Sequence, residues 1–315
     1  MNRSFALKLT AAVCVVALLA CGLAILFKTF HIGLHYADAE KYAAGGATID
    51  GAVKRLDIHW IDGAVNVAYH DRDAIELSET AKKALSEKER LRWWLDGDTL
   101  RVQYAQSGYF SFRGLDKALT LTLPEGIELE DVDIDVTSGD VTVGDLRADR
   151  VKVGLTSGDL SLRQSGSAEL VEVSCTSGDV TAALGEVGKL TVRGTSGNIQ
   201  ATLDRAKEAV IATTSGNVSL AGGGADKVEI GNTSGGISVS LEAFDDLKID
   251  STSGNVVASL PSEPGYRADI DTASGSFDHT VALARDGDAY VCGDGSARVR
   301  IDTTSGNILL NAVGE

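Results

Sequence analysis

The chain reads as an all-β protein: a right-handed parallel β-helix of about nine 19-residue rungs, preceded by one transmembrane helix. Three observations predict the coil. A polar corner ending in Ser-Gly returns nine times between Val132 and Ala312, with glycines at 139, 158, 178, 197, 216, 235, 254, 275 and 306. A period near twenty residues marks a repeat architecture. Five residues before each glycine stands a β-branched residue, from Ile134 and Val153 to Ile270 and Ile301, and two residues after it stands an apolar one, from Val141 to Ile308. The residue between the two apolar positions of the leading run is polar in every repeat except at Val210. Apolar and polar residues therefore alternate with period two, the signature of strands rather than helices.

A five-residue strand with one apolar face is unstable alone. Parallel copies stacked one above another bury that face in a continuous column, and strand twist favours right-handed winding. Nine rungs at about 4.8 Å predict a rod roughly 43 Å long. Glycine accepts φ > 0 at each corner, and the Asp or Asn that usually follows it tolerates bent backbone, so Ser-Gly-Asp and Ser-Gly-Asn turn one strand into the next. Thr precedes the serine in every repeat except at Ala273, and such hydroxyls can bond to one another or to backbone at the bend.

These corners, the lead-in Leu119-Thr-Leu-Thr-Leu-Pro124 and the single N-terminal apolar segment resemble the bacterial β-strand-repeat family named putative adhesins, a domain of unknown function. The resemblance covers about residues 50 to 312. It implies surface exposure and brings no catalytic residues.

The N-terminus adds an anchor. Leu9 to Phe27 are 19 uncharged, mostly apolar residues between Lys8 and Lys28, enough as a helix to span about 28 Å. Arg3 and Lys8 precede the run, which favours a cytoplasmic N-terminus and an exported C-terminal part. Cleavage near Ala37-Asp-Ala39 and lipidation at Leu18-Leu-Ala-Cys21 are competing readings, but the run continues apolar to Phe27, as an uncleaved signal anchor does. Four segments result: an anchor at 1–30, a juxtamembrane linker at 31–47, a β-rich cap of degenerate rungs at 48–130, and a solenoid at 131–315 with an insert at about 277–298. Within the cap, Leu56 to Tyr69 reads as a decayed rung with Asp62-Gly63 at its corner, Thr80 to Arg92 as a short helix, and Asp96-Gly97 as a hairpin turn.

Charge and cysteines narrow the function classes. Beyond residue 30 the chain carries 26 Lys and Arg against 45 Asp and Glu, near −19, which repels phosphate backbones and excludes nucleic acid as a partner. Cys14 and Cys21 fall in the apolar run, and five rungs separate Cys175 from Cys292, beyond the reach of a disulfide.

Candidate sites are few. Asp140, Asp159 and Asp179 share one corner position in successive rungs, so a bridging calcium is one reading and solvated turn carboxylates the other. Trp93, Trp94, Tyr104, Tyr109, Phe110 and Phe112 crowd into twenty residues, as a partner-binding surface or as a plug for the end of the coil. The five histidines form no metal-binding pair, no nucleophile elbow or phosphate loop occurs, and no cofactor is expected. The sequence therefore predicts a non-catalytic, adhesin-like surface module whose partner is a cell-envelope protein or glycan, located at the cell membrane as a single-pass protein. The alternatives are an envelope-stress or regulatory protein sensing a ligand, and a carbohydrate-active β-helix enzyme with paired carboxylates.

Overall fold

A computed structural model describes residues 35–109 and 114–313. The apolar run at 9–27, Phe110 and Phe112 lie outside them. Among the described residues, no helix is long and apolar enough to cross a membrane, and the one helix is a 3-10 turn at Ala39–Lys41. The rest is β-structure in a sheet system dominated by parallel pairing.

Each rung, named here by its corner glycine, has a lead strand ending in the Thr-Ser step and a trailing strand after the corner. In the Gly158 rung these are Ala148–Ser157 and Leu160–Gln164. Register follows the sequence files: Val153 pairs with Ile134 on one side and Val173 on the other, and Leu160 lies between Val141 and Val180. Val153, Val173, Val192, Ile211, Ile230 and Ile249 are fully buried, so the β-branched file forms the continuous core column that the period predicts. Burying each such side chain contributes about 1.5–3 kcal/mol relative to exposure.

Stacking departs from chain order at both ends. The lead strand Arg55–Asp62 lies between Leu129–Ser138 and Thr99–Gln103, and Val65–His70 lies between Val141–Asp145 and Lys117–Pro124. Gly63 is thus the corner of a full rung, and the strands Thr99–Gln103 and Lys117–Pro124 build a further level outside it without a Ser-Gly corner between them. At the other end, Ala297–Ser305 is inserted between Phe244–Ser253 and Gly265–Ser274, and Ile308–Ala312 between Val256–Leu260 and Phe277–His279. The Gly306 rung therefore sits inside the Gly275 rung. The long connection makes this possible: a hairpin of Ala284–Asp286 and Ala289–Gly293 lies antiparallel on Gly265–Ala268 and turns the chain back into the gap. The expectation of about nine equal rungs is corrected accordingly, because the stack includes levels that the 19-residue spacing does not mark.

Antiparallel strands close the N-terminal end. Ile75–Ala81 pairs with Lys117–Pro124 and in turn with Ala47–Ile49, while Arg92–Asp96 pairs with Thr99–Gln103 and with Ala43–Ala44. Covering open parallel edges in this way blocks edge-to-edge association. Part of the segment expected as a linker is therefore built into the cap. The helix expected over Thr80 to Arg92 does not form: Thr80 and Ala81 pair with Ala118 and Lys117, and the buried Leu91 donates its N–H to Glu79 Oε1 at 2.9 Å. Tertiary pairing overrides local helix propensity here.

Candidate interaction surfaces

The corners explain why glycine recurs. Gly158 has φ +126°, and a Cβ placed on it would overlap the carbonyl oxygen of Gly139; Gly216 stands in the same relation to Gly197. Only a residue without a side chain lets consecutive corners approach so closely.

Outside the glycines, the three candidate aspartates lie in one file, as expected, and each has a definite hydrogen-bonding task. Asp140 Oδ1 accepts the N–H of Asp159 at 2.9 Å, Asp159 Oδ1 that of Asp179 at 2.8 Å, and Asp179 Oδ1 that of Asn198 at 2.7 Å. Asn198 and Asn217 continue the ladder onto Asn217 N and Gly236 N. An amide oxygen serves as well as a carboxylate, which explains why Asp and Asn exchange along the file. Among the described residues, no group of three or more His, Cys, Asp and Glu is placed to hold a metal ion.

Inside the glycines runs a second file, three residues before each corner: Val136, Leu155, Cys175, Gly194, Thr213, Asn232 and Ser251. Asn232 Nδ2 donates to the carbonyl oxygens of Gly216 and Gly235, both at 3.0 Å, and its Oδ1 accepts Ser234 N–H. Cys175 Sγ faces the carbonyls of Gly158 and Gly178 in the same way, and burial pushes its thiol up to about 11. Cys175 and Cys292 are both free and buried.

The two sheets carry different outward chemistry. Lead strands are charged, and their charges pair across rungs: Arg150 with Asp131, Lys152 with Asp133, Arg193 with Glu172, and Glu208 with both Lys189 and Lys227. Exposed pairs of this kind contribute little stability each, about 0–1 kcal/mol, and they link each rung to the next. At the N-terminal end of this sheet, His59 Nε2 lies 2.9 Å from Asp57 Oδ1 and His59 Nδ1 lies 3.7 Å from Asp135 Oδ2. The hydrogen bond to Asp57 raises the His59 pKa against the opposing effect of burial, and the same bond holds Asp57 below the usual carboxylate range. Arg101 also pairs with Asp57. Trailing strands are uncharged over most of the stack.

The cap holds a buried ion pair that the sequence reading missed. Lys117 Nζ lies 2.7 Å from Glu79 Oε2, and donates to the carbonyls of Glu89 and Tyr104 at 2.6 Å each. The rings of Trp60 and Tyr104 flank it at 4.9 and 4.4 Å. Burial lowers the Lys117 pKa, and Glu79 partly offsets this. A signal for it existed: Lys117 is in phase with the inward Leu119, Leu121 and Leu123.

The aromatic candidates separate into layers. Tyr104 is buried edge-on against Trp60, Trp93 and Tyr109 pack on the core, and Trp94 is covered by the Tyr42 ring at 5.7 Å and by Lys41 Nζ at 4.6 Å. The described members of this set thus line the closed end of the coil.

Residues 53–311 match the Toastrack DUF4097 family, and the chain belongs to it. The resemblance seen in the corner repeats is therefore confirmed. No curated protein matches the chain. Among solved structures, a putative adhesin from Bacteroides fragilis is similar at 15% identity and TM-score 0.41, covering 85% of this chain and 98% of its own. A putative cell adhesion protein from Clostridium sporogenes is similar at 12% identity and TM-score 0.26, covering 86% of this chain and 100% of its own.

Proposed function

We propose that the protein is a non-catalytic, adhesin-like interaction module, tethered to the cell membrane through residues 9–27 and carrying a right-handed coil outside the cytoplasm, where it meets a cell-envelope protein or glycan. The observation that carries this reading is the arrangement of outward side chains in straight files along two sheet faces, with like positions repeating from rung to rung. Chemistry at a catalytic centre needs unlike groups converging on one point, whereas a file of like groups suits an extended partner. The net charge of −16 keeps such a surface soluble and turns away polyanions.

The test uses the full chain expressed in a bacterial host. Alkaline extraction should leave it in the membrane fraction, and protease added to intact spheroplasts should digest the C-terminal part. Deletion of residues 9–27 should release it. A soluble full chain, or one protected inside spheroplasts, would sink the anchored reading.

A further inference from the structure

The trailing-strand sheet differs from the rest of this acidic protein. Its outward column from the Gly139 rung to the Gly235 rung is Thr142, Ser161, Thr181, Gln200, Ser219 and Ser238. Five of the six are exposed and Ser219 is half-buried. The column is in register from strand to strand, Thr142 beside Ser161, Ser161 beside Thr181, and so on to Ser219 beside Ser238. At about 4.8 Å per step it runs for about 24 Å. The parallel column two residues further on is small or hydroxylic from Ala183 to Ser259, and the two charges at its N-terminal end, Asp145 and Arg163, lie side by side where the register shifts.

None of the six makes a side-chain hydrogen bond within the protein, among the described residues. The lead sheet is the opposite case, since its charged side chains are largely bonded to the next rung. Six regularly spaced groups that can each donate and accept hydrogen bonds thus have no partner within the protein, on a face that carries no charge from Thr181 onward.

We infer that this face docks an uncharged polysaccharide lying along the rod, its hydroxyls exchanging hydrogen bonds with the hydroxyl and amide file. The inference rests on the interaction-module reading and names its partner class. Charge decides between occupants. A polyanion meets a protein of net charge −16, and a polycation is drawn to the acidic corners instead. A second copy brings the same net charge, and the file offers it no apolar side chain to bury; Val313 is the one exposed large hydrophobic residue among those described. A neutral polymer carries neither penalty. Each sugar gains little from a file without aromatic platforms, so binding must grow with the number of rungs engaged.

Native affinity electrophoresis of the full chain tests this, with unbranched β-glucan, galactomannan or dextran in the gel and alginate as the polyanion. Retardation should occur with at least one neutral polymer and not with alginate, and should strengthen with polymer length. Thr181→Glu combined with Ser219→Glu should weaken it at least tenfold, while Lys227→Gln on the charged sheet leaves it unchanged, with melting curves confirming that all variants fold. No retardation by any of the three neutral polymers, equal retardation of the Thr181→Glu/Ser219→Glu chain, or a dimer that this double variant abolishes would each overturn the inference. Should that variant still bind whole envelope material as the parent does, only the assigned face falls; should the parent bind no envelope fraction, the module reading falls with it.

Discussion

The Lys117 ammonium contacts the Glu79 carboxylate where neither side chain reaches solvent appreciably, with side-chain exposures of 0% and 8%. Removing one member of such a pair leaves the other charge buried. Lys117→Met should therefore cost about 3–5 kcal/mol in urea denaturation. The double change with Glu79→Leu should recover only part of this, because the carbonyls of Glu89 and Tyr104 and the N–H of Leu91 still lose partners. Full recovery would mean that the pair is electrostatically isolated.

His59 should titrate above the ordinary 6.5, and Asp57→Asn should bring it back down. A histidine whose pKa is raised by folding contributes stability that is fully present below 6.5 and is lost as pH rises through the folded value. Imidazole NMR across that window checks the position; without the Asp57 carboxylate, burial pulls the value down while Asp135 and Asp133 hold it up. An unshifted His59 would contradict the hydrogen bond.

Glycines in this chain should fall into two classes. Gly158→Ala forces a Cβ into the Gly139 carbonyl at φ +126° and should destabilise by more than about 2 kcal/mol. Gly231→Ala, whose added Cβ meets open space, should change stability by under about 1 kcal/mol. Comparing their melting temperatures gives the answer directly.

Asn232→Ala withdraws the donor of two half-buried glycine carbonyls and should cost about 1–2 kcal/mol. Asn232→Val should not rescue it, although Val136 occupies the equivalent place earlier in the stack, since packing alone supplies no donor.

The core of the fold was legible because each rung repeats the same two constraints, a β-branched file and a glycine that nothing larger can replace. Ile134, Val153 and Val173 could be aligned by eye and are neighbours in space. The order of the end rungs was not legible. Ile301 satisfies the file equally well beside Ile249 or beyond Ile270, so periodicity cannot say that it lies between them. The Thr80 to Arg92 segment misled for a different reason, since its composition suits a helix while the partners of Thr80 and Ala81 are distant in sequence, at Ala118 and Lys117. Of the candidate sites, the Asp140 file was visible as a file but not as an acceptor ladder, because a backbone N–H leaves no mark in sequence.

Threading each extreme rung one place inward has a consequence for how the molecule comes apart and how it could change length. Amides of Val299 and Ile301 should exchange as slowly as those of mid-stack Val192, and a chain ending at residue 296 should lose order back to Gly265, whose remaining pairing is the hairpin strand Ala289–Gly293. An end that unravels first would have neither property. Each outermost level acts as a clasp fastened over the rung threaded beneath it, so repeats are most readily gained or lost in the middle, and the rod can lengthen over evolution without its ends being rebuilt.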